Sequence, residues 1–240
     1  DATSDAIMPL TTGKTALIDD SNLTTQDIAE NDIDYKLYYY TVRQGEPNPA
    51  KGFPTPMDSV LTKYQGRQLT SAMDSEVFET QNTPIWFTLD VVIRGWAYGF
   101  SYFKGGVNTT DNGPITYENG GKGYLIIPSG LAYRNRQDRP SITPNSCLVF
   151  KIDLFDIVEH TDHDNDGVPS YLEIQDASVE EDPRRVNTDG DQFANYRDND
   201  DDNDGVLTIN EDANGDGDPR NDFNDPNNPT VPDYLNPNVN

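Results

Sequence analysis

The chain has a single cysteine, Cys147, so no internal disulfide can form and the redox compartment stays open. Its place in an apolar run ahead of Leu148 predicts a buried small hydrophobe. Positive charge is scarce as well. Seventeen Lys and Arg stand against 42 Asp and Glu, for a net charge of −25 and a pI near 4.1. That balance excludes nucleic acid and anionic membrane surfaces as partners. No apolar run approaches the ~18 residues of a membrane-spanning helix. The first residue is Asp1, not Met, as expected of a processed or trimmed protein; a signal peptide or lipid-bearing Cys anchor would lie upstream. At 240 residues the chain can hold two small domains. The break falls near Val158, where strand-like alternation gives way to Asp, Asn and Gly.

Aromatic and branched residues set between Gly and Pro corners concentrate from Val92 to Phe150. The segments are Val92-Ile93-Arg94-Gly95-Trp96, then Ile127-Pro128-Ser129-Gly130-Leu131-Ala132-Tyr133, then Pro144-Asn145-Ser146-Cys147-Leu148-Val149-Phe150. Such corners let distant strand ends converge on a small apolar cup. Upstream lie Val60-Leu61-Thr62-Lys63-Tyr64-Gln65-Gly66, Glu76-Val77-Phe78-Glu79 and Pro84-Ile85-Trp86-Phe87-Thr88-Leu89. In this order, from about Tyr38 to Ile157, the motifs resemble the FKBP-type peptidyl-prolyl cis-trans isomerases.

The resemblance implies an α+β fold in which an FKBP-like antiparallel sheet wraps on one short helix. It implies a proline pocket formed by Tyr64, Phe78, Phe87, Val92, Ile93, Trp96, Tyr133, Ile142 and Phe150, with Ile85 as a further wall. Glu79 takes the acidic position where the family usually has Asp, and Asp74 of Met73-Asp74 competes for the same place. Arg134 replaces the usual Gly after the pocket Tyr, and Thr143-Pro144 stands for Pro-Pro. An insertion near Val107 to Gly121 is expected beside the pocket, where it could cover it. The implied reaction is prolyl cis-trans isomerisation, with proline-containing client polypeptides as partners. Trp96 would be the floor, Tyr133 a donor to the substrate carbonyl and Glu79 an orienting acceptor.

The end of the chain carries a different pattern. Asp162-His163-Asp164-Asn165-Asp166-Gly167 with Glu173, and Asp200-Asp201-Asp202-Asn203-Asp204-Gly205 with Glu211, both match the calcium-loop spacing D-x-[DN]-x-[DN]-G-x5-E. Oxygen ligands at positions 1, 3, 5 and 12, with a backbone carbonyl at 7 from Val168 or Val206, wrap a hard cation, and Gly at position 6 permits the bend. Asn187, Asp189, Asp191, the Phe193 carbonyl and Asp198 form a further loop with Gln192 at the Gly position. Asp212, Asn214, Asp216 and Asp218, closed by Asp222, offer a half-loop, and Asp225 to Asn236 a last one with Pro229 and Thr230 at positions 5 and 6. Weak or absent metal is expected in the loops that lack the Gly. The two full matches are 38 residues apart, an internal repeat. The array resembles thrombospondin type 3 calcium repeats, since no amphipathic helices flank the loops as in an EF-hand.

From Glu159 onward there are 23 acidic residues against 4 Arg, and Leu, Ile, Val and Phe make up only 13 of 82 residues. Composition of this kind reads as disorder unless cations organise it. Spaced carboxylates with Gly at the turn favour Ca2+ as the organising ligand.

Three regions follow: 1–34 as a linker ending in a short helix capped near Thr25, 35–158 as the FKBP-like domain and 159–240 as the Asp-rich repeats. Strands are expected at Tyr35 to Val42, Val60 to Gln65, Val77 to Leu89, Gly123 to Ile127 and Cys147 to Ile157, with the helix at Arg94 to Tyr102. Calcium loops of millimolar class work outside the cytosol. The combination points to the periplasm or cell surface of a Gram-negative bacterium, with an isomerase aiding folding or export of client proteins. The alternative is a non-catalytic module docked on an outer-membrane or secretion assembly, with the repeats as a rigid spacer.

Overall fold

Runs of β-branched and aromatic residues alternating with polar ones suit half-buried strands, and they build most of the chain from Leu23 to Val158. The computed structural model describes residues 15–30, 32–71, 74–175 and 182–239, without the side chains of Ser71 and Asp74. It divides into two units, Asp1–Glu159 and His160–Asn240, one residue beyond the composition break.

The strands are β1 (Leu23–Glu30), β2 (Ile33–Arg43), β3 (Ser59–Ser71), β4 (Asp74–Thr88), β5 (Val107–Asn108), β6 (Tyr117–Glu118), β7 (Gly121–Ile127) and β8 (Leu148–Val158). Six of them form one sheet in the order β1-β2-β7-β8-β3-β4, antiparallel throughout. The period of two is clean in β7, where Gly121, Gly123, Leu125 and Ile127 are buried and Lys122, Tyr124 and Ile126 are not. In β8 the alternation runs from Phe150, with Phe150, Ile152 and Leu154 buried and Lys151, Asp153 and Phe155 not. The helix α1 (Arg94–Phe100) lays Trp96, Ala97 and Phe100 on that face, and these residues with Leu37, Val60, Leu125 and Ile127 make the core. Each large side chain so buried contributes roughly 1.5–3 kcal/mol relative to exposure.

Residues 23–30 are a strand, not the end of a linker with a helix capped near Thr25. Thr25 pairs with Tyr38 in the β1–β2 ladder, and Asp32 holds φ +58° in the two-residue connection between Glu30 and Ile33. The β-branched Thr24, Thr25 and Ile28 suit that ladder better than a helix.

The insertion is anchored away from the cup. It folds into the β5–β6 ribbon, whose Tyr117 ring lies tilted 6.0 Å from Phe155 and donates a 2.9 Å hydrogen bond to Asp156. Phe155 lies five residues along β8 from Phe150, about 16 Å at strand rise, and Lys63 covers Phe155 from the face shared with Asp153.

The second unit holds little regular structure. Its helical elements among the described residues are α2 (Ser170–Glu173) and single 3-10 turns such as Asn195–Arg197, Thr208–Asn210 and Asp233–Leu235. One bond recurs: the position-9 amide of a loop donates to the carbonyl just before position 1. It appears as Ser170 to Thr161 at 3.0 Å, Asn195 to Val186 at 2.9 Å and Thr208 to Asn199 at 3.0 Å.

Candidate functional site

Trp96 sits on the first full turn of α1, and only 4% of it is exposed. Four rings meet it edge to face: Tyr64 at 4.8 Å, Phe150 at 5.1 Å, Phe100 at 5.2 Å and Phe87 at 5.4 Å between centroids. Phe78 reaches the group through Phe150, at 5.7 Å. Val92, Ile93 and Tyr133 pack against the hydrophobic core that contains Trp96, and Ile142 belongs to that core. The strands explain the convergence. β3 brings Tyr64, β4 Phe78 and Phe87, β8 Phe150, and the segment before α1 brings Val92 and Ile93. Gly66 lies under Phe78 and Phe150; a Cβ there would come within 2.5 Å of the Phe78 ring and 2.9 Å of Phe150. The Trp96 Nε1 donor meets no hydrogen-bond partner among the described residues, although a buried indole N–H usually finds one.

The polar rim is set by Tyr64, Glu79 and Tyr133. The Tyr64 hydroxyl donates to the Glu79 carboxylate, and burial, then the Glu79 charge and that bond, raise the Tyr64 phenol well above its ordinary value. Burial likewise raises Tyr133, opposed by Arg139 and helped by Glu79. Arg139 lies 5.0 Å over the Tyr133 ring. Glu79 faces Gly66 across the β3–β4 ladder, while Asp74 sits at the start of β4, opposite Ser71. Met73 and the Asp74 side chain lie outside the described residues.

Two sequence readings differ from the structure here. Ile85 is 41% exposed and is not among the residues packed on the cluster. Cys147 is exposed, not buried, because β8 begins at Leu148 and Cys147 lies in the irregular segment just before it, its carbonyl accepting from Leu69. Arg134, in the place of a Gly, adopts φ +56°, and its backbone is held by a 2.9 Å bond to Ser129 and a 2.7 Å bond from Asn145.

A clamp beside the cup has no counterpart in the sequence reading. Glu30, at the end of β1, is 4% exposed and accepts from Arg94 Nε at 3.1 Å. The same carboxylate is 4.0 Å from Arg134 Nη2. One side chain thereby ties the start of α1, two residues from Trp96, to the residue after Tyr133. A groove of about 630 Å³ runs beside the cup, lined by Gln68, Glu76, Arg139, Pro140, Ile142 and Thr143 among others. Gln68 fixes its wall by accepting from the Thr143 amide at 2.8 Å and donating to Glu76 at 3.1 Å.

In the second unit the loops gather carboxylates. One oxygen from each of Asp162, Asp164 and Asp166 lies within 4.8 Å of the others, as do those of Asp189, Asp191 and Asp198 and of Asp200, Asp202 and Asp204. Opposite ligands of a calcium ion are about 4.6–5.2 Å apart at its usual bond lengths, so each trio can share one. Gly167 and Gly205 take φ +98° and +94°, which the Gly at position 6 permits, and their amides bond to Asp162 at 3.1 Å and Asp200 at 3.2 Å. The Val168 and Val206 amides bond to Asp166 and Asp204, both at 2.7 Å, and the Phe193 amide bonds to Asp191. Asn187 accepts from the Gly190 amide.

Burial first, then the neighbouring carboxylates, pushes Glu173 up to about 11 and Glu211 up to about 8. Two like charges at 4 Å repel by about 1 kcal/mol even in water, so either a proton or a cation relieves the crowding. The half-loop differs. Asp212 accepts from the Gly215, Asp216 and Gly217 amides, Asp218 pairs with Arg220 at 2.6 Å, and Asp222 accepts from Asn214. Asp212, Asp216, Asp218 and Asp222 form no cluster of three among the described residues. In the last loop Asn227, Asn228 and Asn236 amides meet Asp225.

Residues 50–155 match the family model of FKBP-type peptidyl-prolyl cis-trans isomerases. The FKBP-type peptidyl-prolyl cis-trans isomerase FkpA of Escherichia coli K12 is 33% identical over 124 residues, which is 50% of this chain and 37% of that protein. FK506-binding protein 1 of Candida albicans is 34% identical over 109 residues, 44% of this chain and 83% of that protein. The crystal structure of FkpA from Escherichia coli aligns at 28% identity and a TM-score of 0.43, covering 59% of this chain and 54% of that one. The chain spans well under half the length of the FkpA sequence it matches.

Proposed function

The chain belongs to the FKBP-type peptidyl-prolyl cis-trans isomerase family, and from that membership we propose that the cup over Trp96 binds proline and accelerates rotation about the preceding peptide bond. The observation that carries the reading is the indole of Trp96, walled by Tyr64, Phe87 and Phe150 at 4.8–5.4 Å. Peptide rotation faces a barrier of about 18–20 kcal/mol because the amide resonates, and X-Pro is the bond whose two isomers lie close in energy. An apolar cup disfavours the polar, planar ground state relative to the twisted amide. Each tenfold acceleration requires only about 1.4 kcal/mol of that difference.

In this reading Trp96 supports the pyrrolidine ring, and Tyr133, kept protonated by burial, donates to the substrate carbonyl. Glu79, held by Tyr64, orients the rim. The groove past Ile142 offers residues flanking the proline a path. Isomerisation of an Ala-Leu-Pro-Phe peptide, followed without a coupling protease, tests the activity.

The His160–Asn240 unit is, in the same proposal, organised by Ca2+ in the manner of thrombospondin type 3 repeats, and the protein works outside the cytoplasm on proline-containing clients. Support comes from the unpartnered, buried carboxylate oxygens of Asp166, Glu173 and Glu211. The alternative is a docked, non-catalytic module on an outer-membrane or secretion assembly. Two grounds for it weaken: Arg134 keeps the backbone conformation a Gly would favour, and Tyr117 anchors the insertion near Phe155 on β8. Millimolar Ca2+ should protect residues 160–220 from proteolysis, Mg2+ poorly so. Equal cleavage with Ca2+ and with chelator would remove the calcium reading.

A further inference from the structure

One oxygen each from Asp166, Glu173 and Asp201 lies within 4.8 Å of the others. Asp166 and Glu173 belong to the first full loop, at positions 5 and 12. Asp201 belongs to the second, at position 2, which the loop pattern leaves without a role. The trio is buried: Asp166 is 0% exposed, Asp201 1% and Glu173 4%. Asp166 Oδ2, Asp201 Oδ1 and both Glu173 oxygens meet no hydrogen-bond partner. The other oxygens are occupied, Asp166 Oδ1 by the Val168 amide at 2.7 Å and Asp201 Oδ2 by the Thr208 hydroxyl at 3.4 Å. Buried carboxylates without donors are costly unless paired or bound to metal. All the donor atoms are oxygens, which suits a hard divalent cation.

We propose that Asp201 is a metal ligand across repeats: with Asp166 and Glu173 it holds a calcium-sized cation that clips the second loop to the first. The clip deepens the calcium reading and rests on it. Position 2 of the first loop is His163, whose ring bonds to Ser170 at 2.9 Å, so the carboxylate at this position is particular to the second loop. Ion binding at the first loop then stiffens the second, and the two loops bind Ca2+ cooperatively.

The test is hydrogen exchange of the whole chain with and without Ca2+, read at the Ser170 amide in the first loop and the Thr208 amide in the second. Asp201→Asn keeps the shape and the Thr208 contact. It should cut the Ca2+-dependent slowing at Ser170 at least tenfold, although the substitution lies in the other loop. Glu173→Gln is the reciprocal variant, which should cut the slowing at Thr208 and which decides the matter if Asp201→Asn does not fold. Ca2+ titration of the double variant should show no further loss beyond Glu173→Gln. Undiminished slowing at the opposite loop in both variants would overturn the clip while leaving Ca2+ in the separate loops. No Ca2+-dependent slowing in the parent chain would overturn the calcium reading itself, and the clip with it.

Discussion

Trp96→Leu removes the ring on which the whole cup rests. The indole is 4% exposed and makes four edge-to-face contacts at 4.8–5.4 Å. Aromatic pairs of this kind contribute about 0.5–1.5 kcal/mol each beyond their buried area, so the four together are worth roughly 2 kcal/mol at the low end of that range. The smaller side chain also leaves a cavity, and large-to-small core changes cost about 2–5 kcal/mol. One effect opposes these. The unpartnered Nε1 donor disappears, and an unsatisfied buried donor costs about 1–3 kcal/mol. The net expectation is a loss of about 2–4 kcal/mol, measured by urea denaturation followed through Tyr and near-ultraviolet circular dichroism. Isomerase kcat/KM should fall more than tenfold in conditions where the variant is fully folded. A variant with full kcat/KM would place the proline site elsewhere, whatever its stability.

Glu79→Gln should weaken proline-peptide turnover, because it removes the charge the Tyr64 hydroxyl faces, while Asp74→Asn should do little; steady-state kinetics ranks them, and the reverse ranking would move the acidic position to Asp74. Glu30→Gln leaves Arg94 buried and uncompensated, so a loss of about 3–5 kcal/mol is expected in chemical denaturation; a change under 1 kcal/mol would mean the clamp does not hold the cup. Burial raises the Tyr64 and Tyr133 phenols above their ordinary value of 10. Their contribution to stability is therefore complete below pH 10 and is lost as pH rises through the folded-state values. Activity should be flat from pH 7 to about 9 and Tm should fall above about pH 10; an activity loss near pH 8 would contradict a protonated Tyr133.

Much of the first unit is legible because its signals are local. Leu125, Ile127, Phe150 and Ile152 show a period of two, and Gly66, Trp96 and Tyr133 carry constraints that few other residues satisfy. The features missed are those whose cause is distant in sequence. Glu30 reads as a linker residue, since its partner Arg94 lies 64 residues away. Thr25 is equally good as a helix cap or a ladder residue, and only its pairing with Tyr38 decides. The Asn31-Asp32 pair between two alternating runs was the available hairpin signal. Ile85 follows the same alternation as Phe87 but ends outside the cluster, and the β3–β4 ladder is irregular between Thr62 and Tyr64. Asp201 escapes any loop pattern that counts only positions 1, 3, 5, 7 and 12, because its neighbours Asp166 and Glu173 come from another repeat.

The measurement closest to the central claim is protease-free isomerisation of a proline tetrapeptide by the parent chain and by Tyr133→Phe, each checked for an intact fold. Acceleration by the parent chain, with a lower kcat/KM and nearly unchanged Tm in Tyr133→Phe, is the predicted result. A folded parent chain that neither accelerates the reaction nor changes its Trp96 fluorescence with the peptide would contradict the account.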